Sequence, residues 1–193
     1  MDLVIRNAQI FDGSGEQAFH GDVAVEAGVI VAIGENLAVT GTQEVDANGL
    51  SLMPGIIDSH THFDAQISWD STLAPSSSLG VTSVVIGNCG FTIAPCRPDD
   101  RDLIMRNLTQ VEGMSFEVLR QGISWNFESF PEYMDGIEKG GMSTNVAAFM
   151  GHSSIRTYVM GADAVERPAN SCELGKMKKI VEDGMAAGAI GFS

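Results

Sequence analysis

A change of hydrophobic period at Met53-Pro54-Gly55 does most to restrict what this 193-residue chain can fold into. Beyond it, short β-branched runs alternate with stretches of helical spacing, the pattern of a parallel sheet whose strands are joined through helices. Ile56–His60 reads as the first strand, Val81–Ile86 as the second, Val146–Met150 as the third, and Ala189–Phe192 as the start of a fourth. Helix signals lie between them. Ser129-Phe130-Pro131-Glu132 has the form of a capping box with proline in the first turn. Asn170 and Glu173 open a segment reaching about Ala187, in which Leu174, Met177, Val181 and Met185 recur at spacings of three and four. The connection over residues 97–142 is far longer than one crossover helix needs, so added helices are expected there, with a loop at Trp125-Asn126-Phe127. Its charges at Arg97, Asp99, Asp100, Arg101 and Asp102 read as a solvated face.

A closed (β/α)8 barrel takes about 250 residues. Three or four strands are therefore the first half of one, and residues 54–193 are expected to form an α/β, incomplete (β/α)8 TIM-like barrel. A sheet stopping at Phe192 leaves a bare edge, as expected of a piece of a longer chain. Residues 1–53 read instead as short strands: Leu3–Ile5, Gln9–Phe11, Asp22–Val25, Val29–Ile33, Val45 and Leu50–Leu52. These are too few to close a β-sandwich, so this segment is expected to be part of a subdomain that takes strands from elsewhere.

Eleven basic against 25 acidic residues give a net charge of −14, which argues against a nucleic-acid surface. No apolar run approaches the ~18 residues of a membrane span, and the start MDLVIRNAQIFDG lacks the basic, then apolar, layout of a secretion signal. Three cysteines, Cys89, Cys96 and Cys172, cannot close a disulfide framework, so a reducing, cytoplasmic setting is expected.

The chemistry centres on PGIIDSHTHFD, residues 54–64. If the strand continues through it, His60 and His62 share a face, because residues two apart in a strand point the same way. Two imidazoles at the C-terminal end of a barrel-type strand make half a site for zinc or a similar ion. Asp58 has the same parity and is placed to orient a ligand histidine. A chance pair on a surface turn is the alternative. Cys89, between Gly87 and Gly90 at the end of the second strand, is a candidate third ligand, against the alternative of an inert buried thiol. Cys96 is expected to pack and Cys172 to begin a helix. His152, after the third strand, is a candidate to line a substrate pocket, although a hydrogen-bonded structural histidine fits the same place. His20 reads as a surface residue, Arg156 as a loop charge, and Lys176, Lys178 and Lys179 as a solvated helix face.

These residues carry a resemblance. MDLVIRNAQIFDGSG, VIVAIG and LMPGIIDSHTHFDAQ resemble the N-terminus of the amidohydrolase superfamily. GVTSVVIGNCGFTIAPCRP, WNFESFPEYMD, NVAAFMGHSSIRTYVMG and GAIGFS are similar to its D-aminoacylase (N-acyl-D-amino-acid deacylase) branch. The resemblance implies a (β/α)8 barrel with a small β-sandwich built from both chain ends, and one or two divalent ions, zinc first among them. It assigns His60 and His62 as first-strand ligands and Cys89 as a thiolate ligand. Many amidohydrolases place a carboxylated lysine at the fourth strand, where this chain reads Gly191-Phe192-Ser193. Two further histidines and a catalytic aspartate are implied beyond Ser193, so the chain is predicted inactive alone. The implied reaction is metal-assisted hydrolysis of N-acyl-D-amino acids, a small-molecule substrate class. The alternatives are a dihydropyrimidinase-like cyclic amidohydrolase, against which the missing lysine near Ser193 counts, a metal phosphoesterase of the polymerase-and-histidinol-phosphatase type, whose motif normally opens the chain, and a non-catalytic barrel scaffold, against which His60, His62 and Cys89 argue.

Overall fold

Residues Met1 to Ser193 are all described by the computed structural model, and the chain divides into two compact units, Met1–Gly55 and Ile56–Ser193. The first unit contains β1 (Leu3–Ile10), β2 (Phe19–Glu26), β3 (Val29–Gly34), β4 (Gln43–Asp46) and β5 (Ser51–Leu52). These make one sheet in the order β3-β2-β1-β4, with β5 also pairing to β1. The two apolar pieces expected at Leu3–Ile5 and Gln9–Phe11 are largely one strand. A register shift between Ile5 and Ala8 takes up the polar interruption, and Asn7 there adopts a φ of 54°. Asp22 ties this bulge down. Its carboxylate accepts from the Asn7 N–H at 3.0 Å, the Leu37 N–H at 3.0 Å and the Arg6 guanidinium at 3.1 Å. The Asn7 amide first, then the Arg6 guanidinium and the Leu37 amide, hold the Asp22 carboxyl below the usual carboxylate range against the opposing effect of burial. The β2–β3 hairpin turns on Ala27 and Gly28, both at positive φ, as a tight two-residue hairpin requires. Ala8, Ile10, Val23 and Ala47 form the small core of this unit.

The second unit is built on a four-stranded sheet ordered β6 (Ile56–Asp58), β7 (Val81–Ile86), β8 (Asn145–Met150), β9 (Gly191–Phe192), with every neighbouring pair parallel. The long connection after β7 holds three helices: α1 (Arg101–Glu112), α2 (Phe116–Gly122) and α3 (Phe130–Gly140). After β8 come α4 (His152–Met160) and α5 (Ser171–Ala186). Both capping boxes form. Ser129 accepts from the Glu132 N–H while Glu132 returns a bond to the Ser129 N–H, and Asn170 and Glu173 do the same for α5. Val84, Ile86, Ala148 and Met150 carry the sheet into a core completed by Ile104, Met105 and Leu108 of α1, Leu119, Phe130, Tyr133, Ile155 and Met177. α5 lies close over β8 because Gly184 has no side chain; a Cβ there would overlap Met150.

The charged segment 97–102 is mostly exposed, as expected, and Arg101 and Arg97 also lie 5.2 Å and 4.8 Å from the Trp125 and Tyr158 rings, each as a cation over an aromatic face. Two local readings need correction. Arg156 sits on α4, not in a loop, and its Nε donates to the Ala164 carbonyl at 2.6 Å, pinning the following turn. The first strand of this sheet also ends earlier than expected, at Asp58 instead of His60. No helix is long and apolar enough to cross a membrane.

Candidate metal centre

Because β6 stops at Asp58, the strand pleat does not aim the two histidines. The residue between them does. Thr61 is 6% exposed and bonds twice to one acceptor, the Val85 carbonyl: its N–H at 3.0 Å and its hydroxyl at 2.8 Å. Asn88 adds a brace, donating through Nδ2 to Val85 O at 2.9 Å and to Thr61 O at 3.1 Å. With Thr61 turned inward, His60 and His62 flank it, their ring centroids 5.3 Å apart.

Cys89 arrives from the end of β7 on a turn of unusual backbone. Gly87, Cys89 and Gly90 have φ of 78°, 58° and 77°. For Cys89 this is a conformation that side-chain-bearing residues rarely hold, the kind of strain that gathers at functional sites. The glycines are there for space as well as torsion. A Cβ on Gly87 would overlap the Phe149 carbonyl of β8, and one on Gly151 would press on Gly90 O. The turn thus lies tight against β8, and the Cys89 thiol is exposed at the sheet's C-terminal edge.

The outcome is a three-donor cluster. One ligand atom each from His60, His62 and Cys89 lies within 4.8 Å of the others, and His60 Nε2 is 3.2 Å from Cys89 Sγ. A tetrahedral zinc with bonds of about 2.0 Å to imidazole and about 2.3 Å to thiolate sets such a pair about 3.5 Å apart. The donor types and the His60–Cys89 spacing therefore fit a zinc-type ion. Asp58 plays another part than expected: its carboxylate accepts from the His60 backbone N–H at 3.3 Å and does not engage a ring.

Two acidic residues at the site escaped the sequence reading. Glu112, at the end of α1, puts Oε1 3.2 Å from His62 Nδ1, with side-chain exposures of 15% and 19%. Asp64 is 1% exposed, and neither of its carboxylate oxygens makes a hydrogen bond. Burial pushes its pKa up to about 7; the Gly87 N–H and Thr92 hydroxyl pull the other way without closing to bonds, and the Glu112 charge adds to the rise. Only Asp64, two residues past H-T-H, stood close enough in sequence to attract notice. Glu112 lies 50 positions from His62 and offered no local signal.

His152 is the first residue of α4. Its backbone N–H donates to Ser193 O at 2.8 Å, its ring meets Phe192 edge-on at 6.0 Å, and it is not among the clustered donors. Cys96 is buried, and burial raises its thiol pKa to about 12; Cys172 is exposed on α5, and His20 is exposed on β2.

The parallel α/β unit agrees with what comparison with known proteins finds. The chain belongs to the amidohydrolase family, whose profile matches residues 43–193. It is 34% identical over 192 residues to N-acyl-D-aspartate deacylase of Alcaligenes xylosoxydans xylosoxydans, covering 100% of this chain and 36% of that protein. Among solved structures, a D-aminoacylase described by its binuclear metal centre superposes with a TM-score of 0.79 at 30% identity, over 99% of this chain and 38% of that one. N-acyl-D-glutamate deacylase of Bordetella bronchiseptica, solved with zinc and a phosphonate mimic of the tetrahedral intermediate, gives 0.76 at 29%, over 99% and 37%. The chain thus spans little more than a third of these relatives, and its parallel sheet has the curled, half-barrel form of their N-terminal region.

Proposed function

We propose that this chain is the front part of a zinc-dependent deacylase that hydrolyses N-acyl-D-amino acids to a carboxylate and a free D-amino acid. The observation that carries the reading is the convergence of His60, His62 and Cys89 at one end of a parallel sheet. The matched D-aminoacylase and deacylases support the substrate class. On this reading the second unit supplies the first three to four strands of a (β/α)8 barrel and the first unit part of a β-sandwich, with one or two ions at the strand ends.

When bound, zinc would supply Lewis acidity, polarising the amide carbonyl and making water a competent nucleophile near neutral pH. This chain's residues hold and shape the place where that happens. His60 and His62 offer neutral nitrogen donors, and a Cys89 thiolate brings the negative charge that offsets part of the ion's. Thr61 and Asn88, both bonded to Val85 O, keep the donors from drifting apart. His152, at the next strand end, is positioned to border the substrate. Proton transfer falls to an aspartate outside these 193 residues, so the chain by itself is expected to be inactive.

The test is full-length protein assayed for bound metal and for hydrolysis of N-acetyl-D- and N-acetyl-L-amino acids. At least one equivalent of zinc and turnover of the D-series are expected. Absence of metal together with no hydrolysis of either enantiomer overturns the proposal, and turnover of the L-series alone overturns its stereochemical part.

A further inference from the structure

We infer that Glu112 is a positioning residue of this centre: its carboxylate receives the Nδ1–H of His62 and thereby turns Nε2 toward the ion. The inference rests on the metal reading proposed above and adds to it a residue from the long connection after β7. His62 Nδ1 is shut off from water and has no hydrogen-bond partner in place, so the Glu112 oxygen at 3.2 Å is the group that can satisfy it. The approach is within ion-pair range, without the alignment of a hydrogen bond. A carboxylate on the far nitrogen of a metal-ligating histidine fixes its tautomer and raises its basicity.

The position of Glu112 in its helix strengthens the case. It closes α1, whose last turn carries no basic residue, and Gly113 ends the helix at φ 66°. Negative charge at a helix C-terminus opposes the helix dipole and is unfavourable there. A largely buried glutamate there, beside the buried Asp64 carboxyl, is electrostatically out of place unless a cationic or proton-donating partner faces it. His62 is that partner. α1 is anchored through buried Ile104, Met105 and Leu108, so the carboxylate stands on a rigid support. Glu112 is not one of the three clustered donors, which separates orienting a ligand from being one.

The experiment compares full-length wild type with Glu112→Ala and Glu112→Gln, and with Gln110→Ala as a control on the exposed side of the same turn. Zinc affinity is read by chelator competition, ligand geometry by the visible spectrum of the cobalt-loaded protein, and the His62 tautomer by 15N NMR of the metal-free protein. Glu112→Ala is expected to weaken zinc binding 10- to 100-fold, shift the cobalt bands and mix the His62 tautomers. Glu112→Gln, which keeps an accepting oxygen, is expected to lose less, and Gln110→Ala nothing. Unchanged zinc affinity and cobalt spectrum in Glu112→Ala overturn the inference while leaving the proposed function standing. A wild type that binds no zinc overturns both. Should Glu112→Ala fail to fold, the wild-type tautomer decides, since His62 protonated on Nε2 contradicts the assignment.

Discussion

Thr61 shows how much of the centre depends on a residue that would never be a ligand. Its hydroxyl and its N–H both end on the Val85 carbonyl, so its neighbours His60 and His62 inherit their places from β7. Thr61→Val keeps the shape and the N–H bond but removes the hydroxyl. Because Val85 O retains the Thr61 amide and Asn88, the loss should stay near ~1 kcal/mol of folding stability in urea denaturation. Zinc affinity should fall as well, since the donors lose part of their common anchor. A variant that keeps both stability and affinity would show that the backbone bond suffices.

Helix α5 is where local charge and local structure meet most directly. The Glu173 carboxyl is pulled down to about 2, first by the Arg167 side chain and then by the Asn170 N–H that closes the capping box. Its folded value lies below the unfolded value of about 4.3, so its contribution is in full force above about pH 4 and is lost as pH falls toward 2. Asp70 behaves alike, held near 2 by the Thr72 hydroxyl and the Gln66 amide. Acid titration followed by circular dichroism should therefore show helix loss in that window, and Glu173→Gln should flatten the curve while lowering stability at neutral pH. Both capping boxes could be read from the sequence because a cap is settled within four residues. β7 was legible to its ends for a similar reason, since a run so rich in β-branched residues, broken only by Ser83, admits few other states. Helix α4 was not: Gly151 provides no capping side chain, and Ser153 and Ser154 are weak helix formers. The end of β6 was misread because Thr61 favours a strand locally, and only its bonds to Val85, 24 positions away, turn it aside. Glu112 lay beyond sequence reasoning altogether, as its partner is on another element.

Across the molecule, the acidic surface and the exposed apolar residues pull in opposite directions. The net charge of −14 favours solubility, whereas Val29, Ile30, Val31 and Ile33 of β3 are 45–61% exposed on an edge strand. The 193-residue chain is expected to bind a hydrophobic dye such as ANS and to self-associate as pH approaches its pI of about 4.4. Val31→Lys with Ile33→Lys should reduce both without touching the buried core. A native-like chain with no dye binding would mean that this edge is shielded. The Cys89 turn carries a different kind of consequence, one written in the genetic code. Gly87 tolerates no Cβ against Phe149 O, and every amino acid one base change away from a glycine codon has one. Single-nucleotide variation at this codon therefore leads only to silent, truncating or structurally damaging alleles, so substitutions there should be purged from any population that depends on the protein.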